Sequence, residues 1–140
     1  MTRPIQPDYH YHLKNASNPA ISPDDSTVAF IVHRFDENSS EASADLFTTR
    51  LGDSGAPDQL TSSGSAANPA WSPDGRQIAY IDLDDAGIKQ IFVQWFDSGG
   101  SEPSKLTHRL ADVDAVTWSP NGRRIAFRSL VLGPDELQAV

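Results

Sequence analysis

One phrase occurs three times in this chain, and its spacing limits the fold more than any other feature. It reads Asn18-Pro19-Ala20-Ile21-Ser22-Pro23-Asp24-Asp25, then Asn68-Pro69-Ala70-Trp71-Ser72-Pro73-Asp74-Gly75, then Ala115-Val116-Thr117-Trp118-Ser119-Pro120-Asn121-Gly122. Ser22 and Ser72 stand 50 residues apart, and Ser72 and Ser119 stand 47 apart. That is the period of a four-stranded propeller blade. Each residue of the phrase has a mechanical job: Ser bonds local backbone, Pro presets φ, Asp favours the third position and Gly ends the turn. Asp25 takes the glycine's place in the first copy, so a less regular turn is expected there.

An alternating run follows each turn. Val28, Phe30 and Val32 share one face, as do Ile78 and Tyr80, and Ile125 and Phe127. The opposite face carries Ala29 and Ile31, Ala79 and Ile81, and Ala126. Two apolar faces on one strand imply cover on both sides, as when twisted sheets stack face to face around an axis; the recurring alanine permits close approach. Ile21, Trp71 and Trp118 share the position before the turn and are expected to pack between blades.

The second half of the unit repeats too. Asp45-Leu46-Phe47 answers Gln90-Ile91-Phe92 as third strand, and Gln59-Leu60-Thr61 answers Lys105-Leu106-Thr107 as fourth. Loops dense in Gly, Ser and Pro lie between them, including 97–103. The expected architecture is all-β: a partial propeller of antiparallel blades, with a lead-in at 1–17 and an incomplete propeller over 18–140. Blade one spans 18–61, blade two 68–107, and the first half of blade three 115–131. Propellers usually close with about four to eight blades. The chain is therefore expected to be a fragment of a longer protein, with self-association through an open blade as the other way to finish the ring. An unfinished blade also predicts binding of a hydrophobic dye.

Composition excludes several functions. The chain has no cysteine, so it forms neither disulfides nor thiolate metal sites. A net charge of −8 argues against a nucleic-acid surface. No segment has the apolar length of a secretory signal or membrane span, so a cytoplasmic location is expected.

Candidate sites are sparse. His10 and His12 form a possible metal pair with no third ligand beside them, so a structural role is expected. Asp82, Asp84 and Asp85 lack the spacing of a calcium loop and read as a solvated hairpin. Asn15-Ala16-Ser17 and Asn38-Ser39-Ser40 match the glycosylation pattern, idle in a cytoplasmic chain. Arg76, Arg123 and Arg124 follow the turns, placed to pair with Asp74 or an adjacent blade or to line one end of a tunnel; a solvated edge is expected. No nucleophile elbow occurs, and His33 and His108 have no evident Ser and carboxylate partners. No catalytic, cofactor-binding or metal residue is assigned, and no cofactor is expected.

The phrases Asn68-Pro-Ala-Trp-Ser-Pro-Asp-Gly-Arg-Gln-Ile-Ala-Tyr80, Gln90-Ile-Phe-Val93 and Lys105-Leu-Thr107 resemble the repeat of TolB-type periplasmic proteins and of the prolyl oligopeptidase family of serine peptidases. The opening, with Val28-Ala-Phe-Ile-Val-His-Arg-Phe-Asp-Glu-Asn38 ahead of Ser43-Ala-Asp-Leu-Phe47, is similar to acylaminoacyl-peptidase-like members. The resemblance implies a non-catalytic amino-terminal propeller that gates peptide entry to a carboxy-terminal α/β-hydrolase domain, which carries the triad. Its implied partners are that domain and a peptide substrate. The alternatives are a TolB-like protein-binding propeller and a self-assembling binding propeller.

Overall fold

The computed structural model describes residues 14–96 and 102–131. Its ten strands form three antiparallel sheets. The first contains β1 (Asn15–Ile21), β2 (Thr27–Asp36), β3 (Glu41–Arg50) and β4 (Asp58–Gln59), in that order. The second repeats the order with β5 (Ala67–Trp71), β6 (Gln77–Leu83), β7 (Lys89–Trp95) and β8 (Ser104–Lys105). The third pairs β9 (Val113–Trp118) with β10 (Ile125–Ser129). The sheets are all-β propeller blades, with β1 lying against β5 and β5 against β9 along the inner edge. β1 opens at Asn15, ahead of the expected start at Asn18, because Asn15 already pairs with His33.

The turn chemistry is the same in all three copies. The amides of Asp25, Gly75 and Gly122 each donate to the carbonyl of the preceding Ser at 2.9 Å. Ser22 Oγ donates to Asp24 at 2.6 Å while accepting the Thr27 amide at 3.0 Å. Ser72 bonds Asp74 and Gln77 in the same way, and Ser119 bonds Asn121 and Arg124. The expected irregularity at Asp25 is absent. Asp25 adopts φ 59°, beside 70° for Gly75 and 69° for Gly122, so the aspartate takes the left-handed conformation that the turn demands. A Cβ placed on Gly75 would lie 3.6 Å from Pro23 Cδ, and one on Gly122 would lie 3.5 Å from Pro73 Cδ. Each turn therefore packs on its predecessor.

Burial shows why both strand faces are apolar. Ala29, Ile31 and Leu46 of blade one meet Trp71, Ile78 and Tyr80 of blade two in one core. Ala79, Ile81 and Ile91 on the other face of blade two meet Val113, with Val116, Trp118 and Ile125 packed around them. The small-residue face of each blade thus receives the large-residue face of the next. Ile31, Leu46, Ile78 and Ile91 are at most 1% exposed, and each such side chain contributes about 1.5–3 kcal/mol of burial.

The fourth strands differ from expectation. They are Asp58–Gln59 and Ser104–Lys105, one step earlier than the Leu-Thr pairs, which have already left the ladder. Leu60 and Leu106 still donate to the carbonyls of Leu46 and Ile91 at 2.7 Å. The hydroxyls of Thr61 and Thr107 then accept the amides of Leu46 and Ile91 at 2.9 Å, where a strand would supply a carbonyl. A side chain replaces the backbone acceptor, so the chain can turn toward the next blade.

Candidate functional site

Asn-Pro sits inside inner strands β1 and β5, the edge strands of their sheets, where proline is tolerated and here accompanies a bulge. The register breaks between Ser17 and Ala20 and again between Ala67 and Ala70. Asn18 and Asn68 take left-handed φ values of 51° and 49°, a conformation asparagine accepts more readily than most residues. Each bulge frees an asparagine side chain from the ladder and turns it toward the neighbouring blade.

The result is a polar row across all three blades. Ser17 Oγ lies 2.7 Å from His33 Nε2 and donates to Asn18 Oδ1 at 3.0 Å. Since the hydroxyl has a single proton, the imidazole is the donor of its pair. Asn18 Nδ2 donates to Asn68 Oδ1 at 3.1 Å, and Asn68 Nδ2 reaches the Asp114 carbonyl at 3.5 Å. Arg128 closes the row with two bonds to the Asp114 carboxylate, at 2.7 and 2.9 Å. Those bonds hold the Asp114 carboxyl below the usual carboxylate range. The row is largely exposed and offers amides, an imidazole and a guanidinium along the inner edge.

Two indoles sew the same edge together. Trp71 Nε1 donates to the Ala20 carbonyl at 2.9 Å, and Trp118 Nε1 donates to the Ala70 carbonyl at 3.0 Å. Trp71 also meets Phe96 edge to face at 4.9 Å. The core role expected at this repeat position therefore holds for the two tryptophans. It fails for Ile21, which is 59% exposed and lies outside both buried clusters.

The other sequence candidates separate. His10 and His12 lie outside the described residues. Among the described residues no group of three or more His, Cys, Asp or Glu is arranged to hold a metal. The aspartate hairpin splits in two. Asp84 caps the turn by accepting the amides of Ala86 and Ile88 at 3.0 Å, and Lys105 stands 3.6 Å away. Those bonds, the Ile88 amide first, hold its carboxyl low. Asp82 is not solvated: it is buried and accepts Ser63 Oγ, Ser65 Oγ and the Leu83 amide. It ties the linker between blades to the second sheet. Burial of Tyr80 raises its hydroxyl above its ordinary value, and the nearby Asp82 carboxylate adds to the rise.

Asn38 is exposed at the β2–β3 hairpin, and Asn15 is exposed on β1. Arg76 meets Asp74 through its backbone amide at 3.0 Å. Among the described residues, ion pairs form at Lys105–Asp84 and Arg128–Asp114 and not at Arg76, Arg123 or Arg124. His108 makes no side-chain bond among the described residues, whereas the Ser17–His33 contact was missed. Ser17 lies outside every repeated phrase, and only strand register brings it to His33. An orienting carboxylate is absent from that pair among the described residues, so it is not a triad.

Three sheets of one strand order, joined in sequence along an inner edge, define a β-propeller. The chain belongs to the family described as the lipoprotein LpqB beta-propeller domain, whose model matches residues 2–132. It is 34% identical over 68 residues to the Tol-Pal system protein TolB of Alcanivorax borkumensis, covering 49% of this chain and 15% of that protein. It is 31% identical over 77 residues to dipeptidyl-peptidase 5 of Porphyromonas gingivalis, covering 55% of this chain and 11% of that protein. Acylaminoacyl peptidase of Pyrococcus horikoshii superposes with a TM-score of 0.69 at 21% identity, over 83% of this chain and 17% of that one. The chain thus spans less than a fifth of each of these proteins.

Proposed function

We propose that the chain is part of a non-catalytic propeller that admits extended peptide along its inner edge, as the gating propeller of an acylaminoacyl-peptidase-like serine peptidase. The observation that carries this reading is the row from His33 through Asn18 and Asn68 to Arg128. Its amides, imidazole and guanidinium match the alternating carbonyls and amides of an extended peptide. The likeness to two peptidases supports the catalytic setting, in which an α/β-hydrolase domain is the partner, and the location is cytoplasmic. The test uses the intact gene product. It should label with a fluorophosphonate and hydrolyse acylated peptides, and Asn18→Ala with Asn68→Ala should change the length of peptide accepted. Absence of labelling refutes the peptidase setting.

A second reading is favoured by the LpqB family and the TolB match: a propeller that binds a protein partner outside the cytoplasm. Cell fractionation separates the two. A membrane or periplasmic location with no labelling selects the second.

A further inference from the structure

A cleft of about 460 Å³ lies under the connection that leads from blade one to blade two. Residues 60–63 of the connection form one wall, and Tyr80 and Asp82 of β6 with Gln94 of β7 form the other. These three project from the face of blade two that meets blade one. Tyr80 belongs to the core shared with Ala29, Ile31 and Leu46, and Phe92 and Phe96, which alternate with Gln94, pack on the same core. Asp82, two residues beyond Tyr80, is held by Ser63 and Ser65 of the connection itself.

Two buried polar groups in this cleft lack the partners their burial calls for. Tyr80 is 1% exposed and its ring is stacked on Phe92, yet its hydroxyl makes no hydrogen bond among the described residues. A buried phenol normally finds a partner, because a stranded one keeps the full cost of desolvation. Asp82 is buried as well. Its Oδ1 accepts Ser65 Oγ and the Leu83 amide, whereas Oδ2 accepts only Ser63 Oγ, so Oδ2 retains a lone pair. Among the described residues no Lys, Arg or His lines the cleft, and neither Asp82 nor the buried Asp45, which anchors the same connection through Thr61 and Gly64, forms an ion pair. A buried carboxylate without a counter-charge is costly, and a cation seated beside it offsets that cost.

The donor set selects the kind of cation. Calcium takes about six to eight oxygens, and among the described residues no group of three acidic or imidazole side chains gathers to supply them. A guanidinium gains most from two parallel bonds to one carboxylate, but both Asp82 oxygens already hold serine hydroxyls. An ammonium needs no such fork: it is a compact charge with three donors, which one carboxylate oxygen and a phenol oxygen can accept singly. Leu60 and Pro103 supply apolar lining for a carbon chain attached to it.

We propose that this cleft binds an alkylammonium group, its nitrogen bonded to the Asp82 carboxylate and the Tyr80 hydroxyl and its carbon chain lying along Leu60 and Pro103. The site is separate from the inner-edge row and does not depend on the peptide reading. The test is calorimetric titration of the full chain at low ionic strength with cadaverine, spermidine and Nα-acetyl-lysine methylamide, beside 1-pentanol as the neutral control. At least one amine should bind saturably at one site per chain, and 1-pentanol should not. Preference for the lysine amide assigns the group to a protein partner, and preference for cadaverine or spermidine assigns it to a free amine; both support the site. Tyr80→Phe and Asp82→Asn should each weaken binding by about tenfold. Asp85→Asn removes the same charge from the exposed hairpin and should bind as the parent does. Circular dichroism checks that the sheets persist, and Tyr80→Phe, which keeps the ring in the core, decides the matter if Asp82→Asn unfolds. The proposal is overturned if no amine binds, if 1-pentanol, calcium or an arginine amide binds as well as the best amine, if binding survives Tyr80→Phe, or if Asp85→Asn weakens it as much as Asp82→Asn.

Discussion

Substitution at the position before the Ser-Pro turn tests whether the inner seam holds the blades together. Trp71 fills the space between blades one and two, is 9% exposed, and donates to the Ala20 carbonyl at 2.9 Å. Trp71→Ala removes a core aromatic and should cost about 3–5 kcal/mol. Trp71→Phe keeps most of the apolar contact but removes the indole N–H and leaves the Ala20 carbonyl without its donor. Loss of such a bond costs about 1 kcal/mol, rising toward 3 where the stranded group is out of reach of water. Ile21 holds the same repeat position but is 59% exposed, so Ile21→Ala should stay within about 0.5 kcal/mol of the parent. Urea unfolding of the full chain, followed by far-UV circular dichroism, gives all three values if the slopes agree. The expected order of cost is Trp71→Ala, then Trp71→Phe, then Ile21→Ala. If Trp71→Phe matches the parent, the indole-to-carbonyl bond is not a seam; if Ile21→Ala costs as much as Trp71→Phe, repeat position rather than burial sets the energetics.

Three further outcomes follow from the turns and the buried aspartate. Asp25→Gly should stabilise by up to about 1 kcal/mol, since φ 59° is unfavourable for a residue with a Cβ, and Gly75→Ala should lose a similar amount. Neither change meets a clash, because a Cβ on Gly75 would be 3.6 Å from Pro23, and chemical denaturation gives both values. The Ser22 hydroxyl, followed by the bonds from Ser26, lowers the Asp24 carboxyl from 3.8 to about 2. Its folded value is depressed, so its contribution is complete above about pH 4 and disappears as pH falls toward 2. Asp24→Asn should therefore flatten that part of the acid-unfolding curve, and an unchanged acid limb would refute the assignment. Asp82→Ala strands Ser63, Ser65 and the Leu83 amide around a buried site, and should cost about 1–3 kcal/mol by thermal or urea unfolding.

The inner-edge row was only partly legible. Asn18 and Asn68 stand out because they recur before proline, but the bond between their side chains joins residues 50 apart and appears only when β1 lies beside β5. Ser17 and His33 carry no motif at all; they meet because Asn15 pairs with His33 and the bulge follows two residues later. Asp82 was misread as solvated, since a run of aspartates near a glycine has the composition of an exposed turn. The serines that bury it come from the linker before blade two.

The repeated Ser-Pro phrase, the alternating apolar runs and the Leu-Thr pairs specify the strands, their turns and the blade period, because these depend on bonds between residues a few positions apart. Which face of each blade is covered, and why Trp71 is buried while Ile21 is exposed, depend on one blade lying against another. No local pattern encodes those relations, because the interacting groups are a full blade apart in the chain and acquire their partners only when the sheets stack.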